Sequence, residues 1–124
     1  MLRPTTILTL VILLFMTPRP GAAADIAAGQ ALFNRCKICH SLEAGKNMVG
    51  PSLHGLFGRK AGTSDGFTFS EAMKESGILW DDDTLTKYLH DPKQVVPGGK
   101  MAFPGIKDDQ QIADLLAYLH QATQ

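Results

Sequence analysis

Apolar side chains repeat most clearly near the C-terminus of this 124-residue chain. The spacing i, i+3, i+4 and i+7, which marks one face of an α-helix, is filled by Ile112, Leu115, Leu116 and Leu119. Asp108 or Asp109 precedes this series and can accept hydrogen bonds from the first free amides of a helix. The pattern therefore predicts a C-terminal amphipathic helix that begins at these aspartates.

A second helical pattern follows the apolar N-terminus of the chain. Asp25 can cap a helix that runs to about Ile38, in which Gly29, Phe33 and Cys36 fall on one side. Because Gly29 has no side chain, a bulky residue of the C-terminal helix can cross there at close range. A glycine merely tolerated near a helix start is the alternative.

Two shorter helices are predicted in the middle of the chain. Residues 70–76 indicate a short helix, and Asp82 or Asp83 can start another that ends near His90, just before Pro92. The many glycines of residues 43–66 predict a long loop. A loop of this length in a compact domain normally wraps something.

The chain shows no internal repeat and no continuous strand pattern. We therefore predict an all-α domain of about four to five helices, with long connections around one centre.

The first 24 residues have the pattern of a secretory signal peptide. Arg3 supplies a positive charge, residues 7–16 are mostly apolar, and residues 22–24 are alanines suited to cleavage. The apolar run is shorter than the roughly 20 residues that span a membrane, although an uncleaved anchor is the alternative. We expect a cleaved signal at 1–24, a single domain at 25–124, a periplasmic location and no stable membrane insertion.

Removal of the signal changes the charge of the chain. All twelve acidic residues follow position 24, whereas Arg3 and Arg19 precede it, so a net charge of 0 becomes −2. This balance is unlike the basic surface of nucleic-acid-binding domains, and we expect no nucleic-acid partner.

The strongest chemical signal is Cys-Lys-Ile-Cys-His at positions 36–40, the pattern of c-type haem attachment. One helical turn places the sulfurs of Cys36 and Cys39 on one side of the backbone, where they can add to the two vinyl groups of one porphyrin. His40 then offers an imidazole to the iron. We predict one thioether-linked haem c with its iron, and an apoprotein that folds poorly, because the domain has a small core of its own.

Three other roles are open to the two cysteines. A zinc site needs further ligands at matching spacing, whereas the remaining histidines stand alone in the sequence. A thioredoxin-like pair needs a preceding strand, whereas the residues before Cys36 predict a helix. A structural disulfide leaves the adjoining His40 and the export signal unexplained.

The second axial ligand decides whether the iron carries electrons or binds small molecules. The candidates are Met48, Met73, Met101, His54, His90 and His120. Met101 fits best, because the prolines and glycines around it favour an extended course from which one thioether can point inward. A methionine that only fills the core is the alternative.

Several motifs together resemble the mitochondrial-type class I cytochrome c family. They are the attachment motif, Gly-Pro-Ser-Leu-His-Gly-Leu-Phe-Gly-Arg-Lys at 50–60, Trp80, Tyr-Leu-His-Asp-Pro-Lys at 88–93 and Pro-Gly-Gly-Lys-Met at 97–101. The resemblance covers essentially the whole chain after residue 24. It implies the cytochrome c fold, iron held by His40 and Met101, and a soluble one-electron carrier rather than an enzyme.

The resemblance also implies roles for four further residues. The carbonyl of Pro51 accepts the Nδ1 proton of the ligand histidine, Arg59 and Trp80 pair with a buried haem propionate, and Tyr88 donates to the methionine sulfur. Ordinary aromatic packing is the alternative for Trp80 and Tyr88.

Four positions depart from the family pattern. Phe67 and Phe69 stand where tyrosines are frequent, Gly99 stands for a threonine, and Met73 stands for an asparagine. Several hydroxyl and amide donors are therefore missing. Fewer donors to a propionate favour the ferric state, whereas the loss of polar groups near the iron favours the ferrous state, so the two effects on the reduction potential oppose each other.

Basic residues flank the two haem-binding motifs: Arg35, Lys37, Lys93, Lys100 and Lys107. By resemblance they surround an exposed haem edge and dock a monomer on acidic faces of redox proteins, although ordinary solvated lysines are the alternative.

Two other functions compete with free electron transfer. One is an electron-accepting subunit of a periplasmic dehydrogenase, and the other is a peroxidase-like protein with an open iron position.

Overall fold

Five helices make up the fold of the described chain. The computed structural model describes residue 1 and residues 23–124. The helices are α1 (Ile26–Phe33), α2 (Glu71–Glu75), α3 (Asp82–His90), α4 (Pro92–Val95) and α5 (Asp109–Ala122). Within these residues the only extended pairing is an isolated bridge between Lys60 and Leu79. The all-α prediction is confirmed.

The predicted signal peptide lies mostly at residues 2–22, outside the described residues. In the part of the chain that the structure describes, no helix is both long and apolar enough to cross a membrane.

Helices α1 and α5 cross at Gly29. A Cβ on Gly29 would clash with the carbonyl oxygen of Asp114 and would lie 3.0 Å from the Cβ of Tyr118. The carboxylate of Asp114 also accepts a hydrogen bond from the backbone N–H of Asp25 at 2.8 Å. The predicted close approach at Gly29 is therefore confirmed, and the start of α1 is tied to the middle of α5.

The first helix is shorter than predicted, ending at Phe33 rather than near Ile38. Beyond it the backbone N–H of Cys36 bonds the carbonyl of Phe33 at 2.8 Å, and that of Cys39 bonds the carbonyl of Cys36 at 3.1 Å. These contacts span three residues, as in the tighter 3₁₀ helix. The N–H groups of Lys37 and His40 instead bond carbonyls four residues back, at 3.0 Å each, so the cysteines lie on irregular turns that directly follow α1.

The cap of α3 is Asp81, not Asp82 or Asp83 as predicted. Asp81 accepts a hydrogen bond from the backbone N–H of Thr84 at 2.8 Å, and the Thr84 hydroxyl accepts one from the backbone N–H of Asp81 at 3.0 Å. This reciprocal pair is a capping box. Three consecutive aspartates are equally suited to be the cap by residue type. Only Asp81 has a threonine three residues later to complete the capping box.

The short helix α4 was not predicted. Pro92 was expected only to stop α3, but it also occupies the first position of α4, where its fixed φ and missing N–H are tolerated. Asp91 caps the new turn through the backbone N–H of Gln94 at 3.2 Å.

The core lies among α1, α3, α5 and the loops that connect them. Its buried apolar side chains are Phe33, Leu56, Ala61, Trp80, Leu85, Tyr88, Leu89, Val96, Ile106, Ile112, Leu115, Leu116 and Leu119. Cys36 and Met101 both pack against this cluster from its edge. One core therefore supports both segments that the sequence assigned to haem binding.

Candidate haem-binding site

The imidazole of His40 is fixed by the loop at residues 50–51. Its Nδ1 donates to the carbonyl oxygen of Pro51 at 2.7 Å. Burial lowers the pKa of His40, while the hydrogen bond to Pro51 opposes that effect. The ring is thereby favoured as a neutral imidazole protonated on Nδ1, which leaves Nε2 as the nitrogen available to a metal.

Gly50 holds the other side of this imidazole, a role that sequence reasoning did not assign. A Cβ on Gly50 would lie 2.7 Å from Nδ1 and 2.9 Å from Nε2 of His40. The backbone N–H of Gly50 also donates to the carbonyl of Cys39 at 2.8 Å. The only sequence signal was a glycine directly before Pro51, which does not reveal what packs against it.

Cys36 and Cys39 are free thiols, each partly buried on the turn after α1. Burial raises the pKa of the Cys36 thiol, and the nearby charge of Arg35 opposes this effect. No disulfide joins the two sulfurs in the structure.

The thioether of Met101 has a specific polar partner. The hydroxyl of Tyr88 donates to Met101 Sδ at 3.9 Å. Trp80 packs on Tyr88 with ring centroids 5.0 Å apart and an interplanar angle of 49°. Burial raises the pKa of Tyr88 to about 12, so the phenol keeps the proton that it donates.

Arg59 lies beside Trp80 and carries a partly buried positive charge. The backbone N–H of Trp80 bonds the carbonyl of Arg59 at 2.9 Å. The guanidinium donates to the carbonyls of His54 at 2.8 Å and Ser52 at 3.3 Å, and burial lowers its pKa. It forms no ion pair with a carboxylate of residues 23–124. A cation held by neutral carbonyls suits an additional anionic ligand such as a propionate.

The other candidate axial ligands lie in different surroundings. His54 and His90 are exposed, and His120 bonds a carboxylate of α3. Met48 is 44% exposed, whereas Met73 packs against the core like Met101. Among the methionines, Met101 is the one whose sulfur accepts a hydrogen bond within the described chain.

These residues form two groups on one core and fit a covalent haem. One group joins His40, Pro51 and the two thiols, and the other joins Met101, Tyr88, Trp80 and Arg59. The fit rests on a neutral imidazole with a free Nε2, two thiols on one turn, a supported thioether and a cation without a carboxylate partner.

A surface cleft of about 480 Å³ lies beside His40 and is lined in part by Phe33, Lys37, Met48 and Tyr118. Met101 does not line it, so this cleft lies beside His40 alone rather than between His40 and Met101.

A family model described as cytochrome c matches residues 26–123. The chain belongs to the cytochrome c family. As a cytochrome c it carries a covalently bound haem c with its iron, and Cys36 and Cys39 fit the attachment motif.

Curated relatives and a solved structure support this assignment. The chain is 50% identical to cytochrome c2 of Blastochloris viridis over 103 residues, covering 82% of this chain and 81% of the relative. It is 60% identical to cytochrome c2 iso-2 of Magnetospirillum fulvum over 87 residues, 70% of this chain and 91% of the relative. Its fold is similar to cytochrome cH from Methylobacterium extorquens, with a TM-score of 0.74, 49% identity, and coverage of 79% and 99% of the two chains.

Two phenylalanines that depart from the family pattern pack together in this cytochrome c. Phe67 and Phe69 meet edge to face, with ring centroids 4.8 Å apart and an interplanar angle of 73°. Between them the carbonyl of Thr68 accepts a hydrogen bond from Nζ of Lys100 at 3.3 Å. The backbone between the two rings thus holds the side chain of Lys100, directly before Met101.

Proposed function

We propose that this cytochrome c is a one-electron carrier between redox proteins, with its haem iron held by His40 and Met101. The observation that carries the proposal is the hydrogen bond from Tyr88 to the sulfur of Met101. A methionine that only fills a core has no need of a donor, whereas an axial thioether gains a fixed orientation from one.

The bound haem supplies the exchange of one electron between ferric and ferrous iron. Pro51 and Gly50 hold the imidazole of His40, and Tyr88 holds the thioether of Met101. Methionine and histidine ligation favours a raised reduction potential. Because side chains close both axial positions, we propose that no substrate bond is made or broken and that the protein is not an enzyme.

The proposed roles of Arg59 and Trp80 concern a haem propionate. Their backbones are bonded to each other, and the guanidinium is partly buried with carbonyl partners only. Placing a carboxylate against this cation offsets part of the cost of burying both charges. We propose that Arg59 binds the propionate, with Trp80 as its neighbour.

We propose that residues 1–24 are a signal peptide cleaved near Ala24 and that the remaining single domain acts in the periplasm. The charge and apolar pattern of the segment supports this proposal. The family match starts at residue 26 and Asp25 caps α1, so the matched domain begins directly after the proposed cleavage site.

The proposed partners are redox proteins with acidic docking faces, met by a monomer in brief encounters. The basic residues near the haem-binding motifs are all exposed: Arg35, Lys37, Lys93, Lys100 and Lys107. Such charges attract an acidic face and speed association, and added salt screens them. Electron exchange with the partner should therefore slow as ionic strength rises, and a rate that is independent of salt would contradict this docking model.

The axial assignment is tested by absorption spectra of the mature protein, expressed with a haem-attachment system. The weak band near the infrared edge, which reports a bond between iron and methionine sulfur, should be present in the wild type and lost in Met101→Ala. Met73→Leu is the matched control, because Met73 also packs against the core, and it should keep the band. A wild type without the band, with a high-spin spectrum that responds to peroxide or carbon monoxide, would overturn the carrier function.

A further inference from the structure

A buried carboxylate on α5 has no cation beside it within the described chain. Asp114 is only 8% exposed. It accepts hydrogen bonds from the side-chain amide of Gln110 at 3.0 Å and from the backbone N–H of Asp25 at 2.8 Å. Both donors are neutral, and Asp114 forms no ion pair with a lysine, arginine or histidine of residues 23–124. Because a buried charge is costly unless it is paired, this carboxylate suits an additional positive charge.

The nitrogen of Asp25 lies at the proposed end of the signal peptide. Residues 21–24 are Gly-Ala-Ala-Ala, so a cut after Ala23 or after Ala24 leaves small residues at the positions that favour cleavage. The sequence alone therefore does not select the bond. The contact at Asp114 does, because only a cut after Ala24 turns the nitrogen that donates to this carboxylate into a chain terminus.

Cleavage after Ala24 changes the charge of this nitrogen. A signal peptidase adds one water across the peptide bond, which leaves a carboxyl group on Ala24 and an α-amino group on Asp25. The proton of the new acid passes to the amine, and α-amino groups are mostly charged at neutral pH. The neutral N–H that donates at 2.8 Å in the uncleaved chain becomes an ammonium at the same position.

We propose that Asp114 is the binding site for the α-amino group that signal cleavage creates on Asp25, so that processing completes an ion pair between α1 and α5. This inference rests on the proposed signal peptide and adds its cleavage site. It makes the mature domain more stable than the uncleaved chain, in which the contact at Asp114 is a neutral hydrogen bond.

The local structure holds the new terminus in place. The carbonyl of Asp25 accepts a hydrogen bond from the N–H of Gly29 at 3.0 Å, and its side chain accepts one from the N–H of Ala28 at 3.1 Å. A positive charge at the start of a helix is unfavourable by itself. The carboxylates of Asp25 and Asp114 offset this effect, so α1 can begin at the first residue of the mature chain.

The first test identifies the end of the mature chain. Haem-loaded protein is purified from the periplasm, and its intact mass and N-terminal sequence should show a chain that begins at Asp25. Retention of residues 1–24 would overturn both the proposed export and this inference. A mature chain that begins at Ala24 would overturn this inference and leave the export proposal intact.

A thermodynamic cycle then measures the ion pair in the haem-loaded protein. An extended chain carries one extra serine between Ala24 and Asp25, so that the ammonium moves outward by one residue and a neutral amide faces Asp114. Charge-assisted hydrogen bonds are roughly twice as strong as neutral ones. In denaturant titrations, the unfolding equilibrium constant of the extended chain should therefore be about tenfold that of the wild type.

The same extension is repeated in the Asp114→Asn background, where no carboxylate is present. There it should change the unfolding equilibrium constant by less than about twofold. Asp109→Asn is the matched control, because Asp109 is an exposed carboxylate of the same helix, and the extension should keep its full effect in that background. Equal effects of the extension in all three backgrounds would show that Asp114 binds no charged terminus.

If Asp114→Asn fails to fold, the reactivity of the terminal amine decides instead. A pyridinecarboxaldehyde reacts with α-amino groups in preference to lysines, and only the uncharged amine reacts. Because a nearby carboxylate favours the charged amine, the folded wild type should be labelled about tenfold more slowly than the folded extended chain. The two chains should react at similar rates in denaturant. Similar rates in the folded state as well would refute the proposal.

Discussion

At position 50, the lack of a side chain determines how closely the loop approaches His40. The imidazole is held between the backbone of Gly50 and the carbonyl of Pro51. A hydrogen bond alone fixes one ring nitrogen but leaves the ring free to rotate about that contact. The close approach of Gly50 limits this rotation and so aims Nε2.

Gly50→Ala should therefore disturb the axial histidine. The added Cβ would lie within 2.9 Å of Nε2, so the ring or the loop must shift. We expect the unfolding free energy to fall by about 1–3 kcal/mol, the range for overpacking a closely packed site, together with a changed visible spectrum of the haem. Denaturant titration and absorption spectra measure the two effects.

The matched control is Gly45→Ala in the same long loop. A Cβ at Gly45 would have no neighbour within 4 Å, although its φ of +73° is unfavourable for alanine. This control should lose stability through backbone strain and leave the spectrum unchanged. If both variants gave the same spectrum as the wild type, contact with His40 would not be the function of Gly50.

Sequence spacing predicts the residues whose chemistry is local. Cys36, Cys39 and His40 lie within one turn, so their pattern alone indicates haem attachment. The carbonyl partners of Arg59 could not be predicted in this way. They depend on how residues 52–59 curl back on themselves, and no periodic pattern encodes such a loop.

At the scale of elements, the C-terminal end of α5 contacts both the loop at residues 52–59 and the first turn of α3. The ring of His120 stacks on Phe57 with centroids 3.7 Å apart and an interplanar angle of 15°. Its Nε2 lies 2.6 Å from a carboxylate oxygen of Asp82 in the first turn of α3. The N–H of Gly55 bonds the carbonyl of Thr123 at 2.6 Å. The loop that holds Arg59 is thus anchored to the end of α5, which is itself bonded to the start of α3.

This contact predicts energetic coupling between Phe57 and His120. A double-mutant cycle with Phe57→Leu and His120→Ala should give about 0.5–1.5 kcal/mol, the range for aromatic pairs. Either change should also speed hydrogen exchange at the Gly55 amide. The rate increase there should be about ten times the increase at the amide of Ile112, a reference position in α5. If the two substitutions had additive effects on the unfolding free energy, and if exchange changed equally at both amides, the stacking would not hold the loop.

The cap of α3 predicts a specific acid sensitivity. Hydrogen bonds from the backbone and side chain of Thr84 lower the pKa of Asp81 from its ordinary 3.8. A lowered carboxyl pKa in the folded state gives stability that is present above pH 3.8 and lost as pH falls through the folded pKa. Asp81→Asn keeps an acceptor but does not titrate, so its stability relative to the wild type should improve as the pH falls.

Denaturant unfolding at a series of pH values from about 5 to 2 tests this prediction. Asp65→Asn, at an exposed loop carboxylate, is the control and should leave the acid dependence of the wild type unchanged. A constant difference between Asp81→Asn and the wild type over this range would contradict the role of the charged cap.

The sequence predicted the existence of the main helices better than their ends. The periodic apolar face made α5 predictable, and Asp108 caps it as one of the two expected residues. The predicted end of α1 was wrong because the residues after Phe33 form turns with mixed three-residue and four-residue hydrogen bonds, which leave the apolar spacing almost unchanged. Helix α4 was missed because Pro92 both stops one helix and starts another.

At the scale of the whole molecule, we expect the small core to depend on its bound haem. Cys36 and Met101 pack against the edge of the buried cluster from different segments. A domain of about one hundred residues buries a limited fraction of its surface. A haem attached at Cys36 and Cys39 would add apolar contacts to this core.

Cys36→Ser combined with Cys39→Ser should therefore yield a poorly folded protein. Without covalent attachment we expect reduced helix content in circular dichroism and a broad, weakly cooperative unfolding transition. Lys37→Ser, between the two cysteines, is the control and should fold with haem attached. A double variant with the helix content and sharp transition of the wild type would show that the protein core is sufficient alone.

The pairing of the first helix with the last has a consequence for synthesis. Asp25 and Asp114 are bonded across 89 positions of sequence, and Gly29 packs on the same turn of α5. While a ribosome is still making α5, α1 has no surface to pack against, and chain segments fold only when their contacts exist. We therefore expect α1 to stay unpacked until α5 has been made, which suits the proposed export, because a chain must be unfolded to pass through a membrane channel.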